Sequence, residues 1–78
     1  MIDKNKLYKK IGENLKYYRK LKGFSQDNLS YASNVCRGYF GRCERGENHP
    51  SVSTIYKISR ALEVPLYKFF VFDKEIEE

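Results

Sequence analysis

Seventy-eight residues make one domain and leave little room for a second, so the core is small and the stability margin thin. Fifteen Lys and Arg against ten Asp and Glu give a net charge of +5, a balance that suits an anionic partner such as nucleic acid. The charge is uneven: residues 1–50 hold 11 basic and 5 acidic side chains, and residues 51–78 hold 4 and 5. No apolar run approaches the roughly 18 residues of a membrane span, and MIDKNKLYKK lacks the apolar stretch of a signal peptide, so a soluble, cytoplasmic protein is expected.

From about Lys6 to Lys22, Leu7, Ile11, Leu15 and Tyr18 recur every three or four residues between lysines, which predicts an amphipathic helix with a basic outer face; residues 1–10 lead into it. Gly23 ends it, and Phe24 is placed to fold back on it. Ser25 is a good N-cap for a second helix opening at Gln26, with Leu29 and Ala32 as its apolar positions. Asn34 tolerates the left-handed conformation that a reversal needs, and Val35 plugs the turn. A third helix runs from about Arg37 to Arg45, with Phe40 and Cys43 facing inward and Arg37, Gly38, Gly41 and Arg42 on the other side.

ENHPS then reads as a loop. Ser51 caps a fourth helix with Val52, Ile55, Ile58, Ala61 and Leu62 on one face, broken at Glu63 and Val64. Pro65 opens a last short helix, Leu66 to about Phe70, and residues 71–78 form an acidic tail expected to fray. Nothing alternates as a strand would, so the expectation is a compact, all-α, five-helix domain.

Catalysis is poorly served. The single histidine, His49, shares no nucleophile motif with a serine or cysteine, and Glu44 and Glu47 lack the concave pocket that paired-carboxylate chemistry needs. Cys36 and Cys43 are seven apart on one helix, about 10 Å along its axis, which disfavours a disulfide and a zinc site shared with His49. No cofactor or metal is expected. A cysteine at a helix N-terminus has a lowered thiol pKa, which keeps redox sensing by Cys36 as a minor candidate. Nucleic-acid binding fits better, because arginine donates two hydrogen bonds to guanine and Arg37 and Arg42 sit on one outer face; the alternative is two solvated charges.

IGENLKYYRKLKGFSQ, Leu29, NV, YF, ERGENHPS and ALEVPLYKFF together resemble the helix-turn-helix family of Cro and phage-repressor type over residues 11–70, with the paired helices at about 26–45. The resemblance implies a lambda-repressor-like fold and a bacterial or phage-encoded transcriptional regulator of repressor or controller type. Such a protein binds a two-fold-symmetric double-stranded DNA operator as a homodimer, with its third helix in the major groove. It further implies base reading by Arg37, Gly38, Gly41 and Arg42, and phosphate contacts from Gln26, Tyr39, Arg45, Asn48 and His49. Arg19 and Glu44 match an inward ion pair joining the first and third helices, against the alternative of two exposed charges. Leu66, Phe69, Phe70 and Phe72 are either a subunit contact or the closure of the core.

The chain also departs from that family's pattern. Ser30 and Ser33 stand where alanine is common, Asn34 replaces the turn glycine, and Cys36 replaces a Ser or Thr cap. Gly38 and Gly41 each cost about 1 kcal/mol of helix propensity relative to Ala and remove two side chains from the reading face. Those glycines keep a second class open, a protein-interaction module such as an antitoxin or adaptor.

Overall fold

A computed structural model describes residues 3–72 and contains α1 (Lys4–Leu21), α2 (Gln26–Ser33), α3 (Arg37–Glu44), α4 (Val52–Leu62) and a closing 3₁₀ helix (Leu66–Phe70). No strand occurs among the described residues, and no helix there is long and apolar enough to cross a membrane. The all-α expectation therefore holds, with four α-helices and a 3₁₀ helix in place of five α-helices. The expected frayed tail lies, from residue 73 onward, outside the described residues.

The caps explain the boundaries. α1 starts two residues earlier than its apolar spacing suggests because Asp3 caps it, its side chain accepting from the Asn5 N–H at 3.0 Å. It stops where Gly23 takes φ 81°, and Phe24 N–H then donates back to the Arg19 carbonyl at 3.0 Å, which turns the Phe24 ring onto the core. Ser25 caps α2 and Ser51 caps α4 through their hydroxyls. Asn34 and Glu63 end those helices in the left-handed region, at φ 58° and 57°. Asparagine tolerates that region, whereas glutamate carries a steric cost there that the Val64 N–H bond to the Ser59 carbonyl, at 3.0 Å, helps to offset.

The core gathers Ile11 and Leu15 from α1, Leu29 from α2, Phe40 and Cys43 from α3, Ile55, Ile58 and Leu62 from α4, then Val64 and Phe69. Three sequence expectations change. Ala32 is exposed and Ser30 and Ser33 are buried beside Leu29, because α2 turns its 29–30–33 edge inward. Val52 is 61% exposed, since the first turn of α4 precedes the core. Phe69 is fully buried, with its ring edge-on to Tyr18 at 5.4 Å, so it closes the core and offers nothing to a second subunit.

Two glycines let α1 seat against α3 and the loop after it. A methyl group at Gly12 would lie 2.6 Å from the Glu44 carbonyl oxygen and closer still to that of Cys43, and one at Gly46 would lie 2.8 Å from Lys9 Cα. Backbone cannot yield as a side chain does, so both positions exclude larger residues. At Gly38 and Gly41 the nearest atoms to an added methyl lie at 3.7 and 3.6 Å, ordinary contact distances. Gly12→Ala should therefore lower stability by about 1–3 kcal/mol despite its better helix propensity, whereas Gly38→Ala or Gly41→Ala should raise it by up to about 1 kcal/mol. Urea unfolding midpoints measured on the three variants check both signs.

Candidate nucleic-acid interface

α2 and α3 meet at the turn Asn34–Cys36, with Val35 N–H bonded back to the Ser30 carbonyl at 3.0 Å and the Val35 side chain packed on the core. Leu29, Phe40 and Cys43 pin the inner sides of the pair. This leaves Arg37, Gly38 and Arg42 exposed along the outer side of α3. Gly41 lies deeper, covered by its neighbours: the Arg45 Nη1 and Gln26 Oε1 atoms run past it, as Arg42 Nη1 runs past Gly38.

Behind this face is a buried ionic cluster. Arg19 Nε donates to Glu44 Oε2 at 2.6 Å, Arg19 Nη2 to Glu44 Oε1 at 3.2 Å, and Arg19 Nη1 to the Phe24 carbonyl at 2.9 Å. Gln26 Nε2 completes it with a 2.9 Å bond to Glu44 Oε1. The structure thus joins Arg19, Gln26 and Glu44 in one network. Gln26 stays half-buried at the start of α2, where helix N–H groups favour an anion.

The remaining candidates are arranged less evenly. Arg37 Nε is paired with Asp27 Oδ1, both side chains being mostly exposed. Arg45 holds Glu47 through Nε at 3.0 Å and Nη2 at 3.2 Å, and this hydrogen bonding keeps the Glu47 carboxyl below its ordinary pKa. Arg42 makes no ion pair among the described residues, although its charge is felt at Glu47 and at both cysteines. Tyr39 is half-buried beside Cys43, and burial raises its phenol pKa. The Asn48 and Glu47 N–H groups both donate to the Arg42 carbonyl, at 3.3 and 2.8 Å, closing the end of α3. His49 stacks on Tyr8 with ring centroids 4.1 Å apart, which ties the loop to α1. Asp27, Glu47 and Tyr8 carry no local motif; only Glu47 is close in sequence to its partner.

The two cysteines differ sharply. Cys36 is exposed at the start of α3 and makes no cap hydrogen bond. The nearby backbone N–H groups of Tyr39 and Gly38, with the charge of Arg42, nonetheless favour the thiolate enough to outweigh desolvation and lower the thiol pKa. Cys43 is buried, and desolvation raises its pKa. Because the thiolate is the reactive form, Cys36 should alkylate with iodoacetamide at a lower pH than a free cysteine, and Cys43 only once the chain unfolds. Mass-mapped labelling across a pH series checks this.

Comparison with known proteins follows the same outline. The family model described as helix-turn-helix matches residues 15–69. The transcriptional regulator SlrR of Bacillus subtilis is 41% identical over 61 residues, 77% of this chain and 40% of SlrR. The crystal structure of the restriction-modification controller protein C.AhdI from Aeromonas hydrophila is 35% identical with a TM-score of 0.79, covering 81% of this chain and 96% of that one. The biofilm regulator SinR, solved in complex with DNA, aligns with a TM-score of 0.75 at 32% identity, covering 78% of this chain and 98% of that one. The chain spans 33% to 52% of the length of three curated relatives that it matches. With most of its core and its paired helices inside the matched span, the chain belongs to the helix-turn-helix family of Cro and phage-repressor type that its motifs resemble.

Proposed function

We propose that this chain is a sequence-specific double-stranded DNA-binding transcriptional regulator, of repressor or controller type, that lays α3 in the major groove. The observation that carries this reading is the outer face of α3: two exposed arginines, Arg37 and Arg42, flank glycines that the fold itself does not require. Side chains at the N-terminal end of the second helix of such a pair reach base edges, while the first helix crosses the backbone. Gly38 then allows the α3 backbone to approach the bases closely, while Gly41 makes room for the Arg45 and Gln26 side chains that run past it. Gln26, at the start of α2, takes a phosphate; Tyr39, Arg45, Asn48 and His49 follow the phosphates along the rim. The chemistry required is binding alone, with no role for a cofactor.

Arg37→Ala and Arg42→Ala should each relax the preference at a particular operator position by about 1–3 kcal/mol, whereas Gln26→Ala should weaken binding to all duplexes alike. Selection of bound sequences from random duplex DNA, repeated for each variant, measures both effects. Binding should also fall with salt by roughly one log unit per log unit for each phosphate neutralised. Equal losses on selected and random DNA for every variant would overturn the assignment of readers. Salt-insensitive binding to a protein partner, without duplex binding, would favour an interaction module.

The regulator acts as a homodimer on a two-fold-symmetric operator, with half-site centres about one DNA turn, near 34 Å, apart. Support comes from the apolar surface at the C-terminal end: Leu66, Phe70 and Phe72 are only partly buried, and Tyr67 and Val71 are exposed. Sedimentation equilibrium should give a dimer that Phe70→Glu dissociates, and a monomer at high concentration would overturn the claim.

A further inference from the structure

Among the described residues of α2 and α3 there are two carboxylates, and Glu44 is buried against Arg19. Asp27 is therefore the one exposed negative charge on the helix pair, next to Gln26 at the end that the DNA-binding reading turns toward phosphates. A carboxylate there repels the ligand, so its presence calls for a local reason. Capping is not that reason, because the Ser25 hydroxyl already accepts from the Asn28 N–H at 3.0 Å. Fold stability is a partial one: an acid in the first turn of α2 suits the helix dipole modestly, a gain any carboxylate there supplies, and ion pairs this exposed contribute little. What Asp27 does uniquely is hold Arg37, from ten residues away and across the turn.

We propose that Asp27 is the positioning residue that makes Arg37 a selector of guanine, an inference that rests on the DNA-binding reading above. A guanidinium is a planar fork of five N–H donors. Asp27 Oδ1 pairs with Nε, the inner edge of the group, which restricts where the guanidinium sits and leaves both terminal nitrogens without a carboxylate partner among the described residues. Those two donors match the O6 and N7 acceptors that guanine presents in the major groove, whereas adenine offers N7 beside a donor. An arginine without this anchor keeps its rotamer freedom and swings to a phosphate or to any single acceptor. Arg42 has no carboxylate partner among the described residues, so the two readers differ in kind: Arg37 strict, Arg42 permissive.

The test is selection from random duplex DNA with four proteins: the parent chain, Asp27→Asn, Arg37→Ala and the double variant. The parent should show a guanine at one position per half-site that Arg37→Ala abolishes. Asp27→Asn should lower the guanine preference at that same position by about three- to tenfold, a part of what a bidentate arginine–guanine pair contributes, and at no other position. Its affinity for random duplex should rise, because a charge that repels phosphate is gone. In the Arg37→Ala background Asp27→Asn should alter no base preference, since its effect passes through Arg37. Both side chains are more than half exposed, so the variants fold, and matching circular dichroism verifies that. A guanine preference unchanged by Asp27→Asn overturns this inference alone, and so does an equal loss at every position. A parent protein that prefers no duplex overturns the DNA-binding reading together with it.

Discussion

The rest of the molecule depends on the buried ion pair between Arg19 and Glu44. Each guanidinium nitrogen and both carboxylate oxygens have a partner: Glu44 accepts two bonds from Arg19 and one from Gln26, and Arg19 also donates to the Phe24 carbonyl. Taking two charges out of water costs several kcal/mol per ion, and only a geometry that satisfies every donor and acceptor offsets that. The pair therefore adds little net stability while making misplacement of any partner expensive. Because those partners come from α1, the turn after it, the first residue of α2 and the last residue of α3, one cluster sets the position of all three helices at once.

That constraint matters because α3 is a poor helix by itself. It has eight residues, two internal glycines and, as its N-cap, a cysteine that makes no cap bond. Isolated helices of this length are marginal even with good sequences. Its order is imposed by Phe40 and Cys43 in the core, by Glu44 at its end, and by Gly12, whose missing side chain lets α1 press against the Cys43–Glu44 backbone. The outer face is thereby relieved of structural duty. Gly38 on that face, and Gly41 under the Arg45 and Gln26 side chains, are tolerated because the inner face holds the helix.

Much of this was legible in the residues. Ser25 and Ser51 as caps, Asn34 as the left-handed turn residue, and the apolar rows of α1 and α4 follow from local chemistry that neighbours do not override. The Arg19–Glu44 contact came through family likeness, since spacing alone left the two as ordinary charges. The inward edge of α2 was hidden because it is made of serines: Ser33 is buried with its hydroxyl donating to the Leu29 carbonyl at 2.6 Å, and Ser30 is buried with its hydroxyl unpartnered among the described residues, neither of which residue type advertises. At the C-terminal end an α-helical reading put Phe69 and Phe70 in one patch. Three residues per turn instead stacks Phe69 over Leu66 and drives it into the core, where the Asn14 side chain donates to its carbonyl at 3.0 Å. Asp27 and Arg37 meet only because the turn folds them together, and no sequence window contains that fact.

The charge count gains a different meaning from these pairings. Composition alone suggests a surface whose affinity rests on all its exposed arginines, yet Arg37 and Arg45 each carry a carboxylate already. An arginine that releases Glu47 to take a phosphate exchanges one anion for another, so its net contribution is smaller than that of a free cation. A carboxylate so placed also penalises a phosphate that arrives out of register. On the DNA-binding reading, then, the arginines of the helix pair and its rim act mainly through direction. The exposed lysines of α1, among them Lys9, Lys16 and Lys20, remain as the source of non-directional attraction. A small domain can in this way separate how strongly it is drawn to nucleic acid from how finely it discriminates once there.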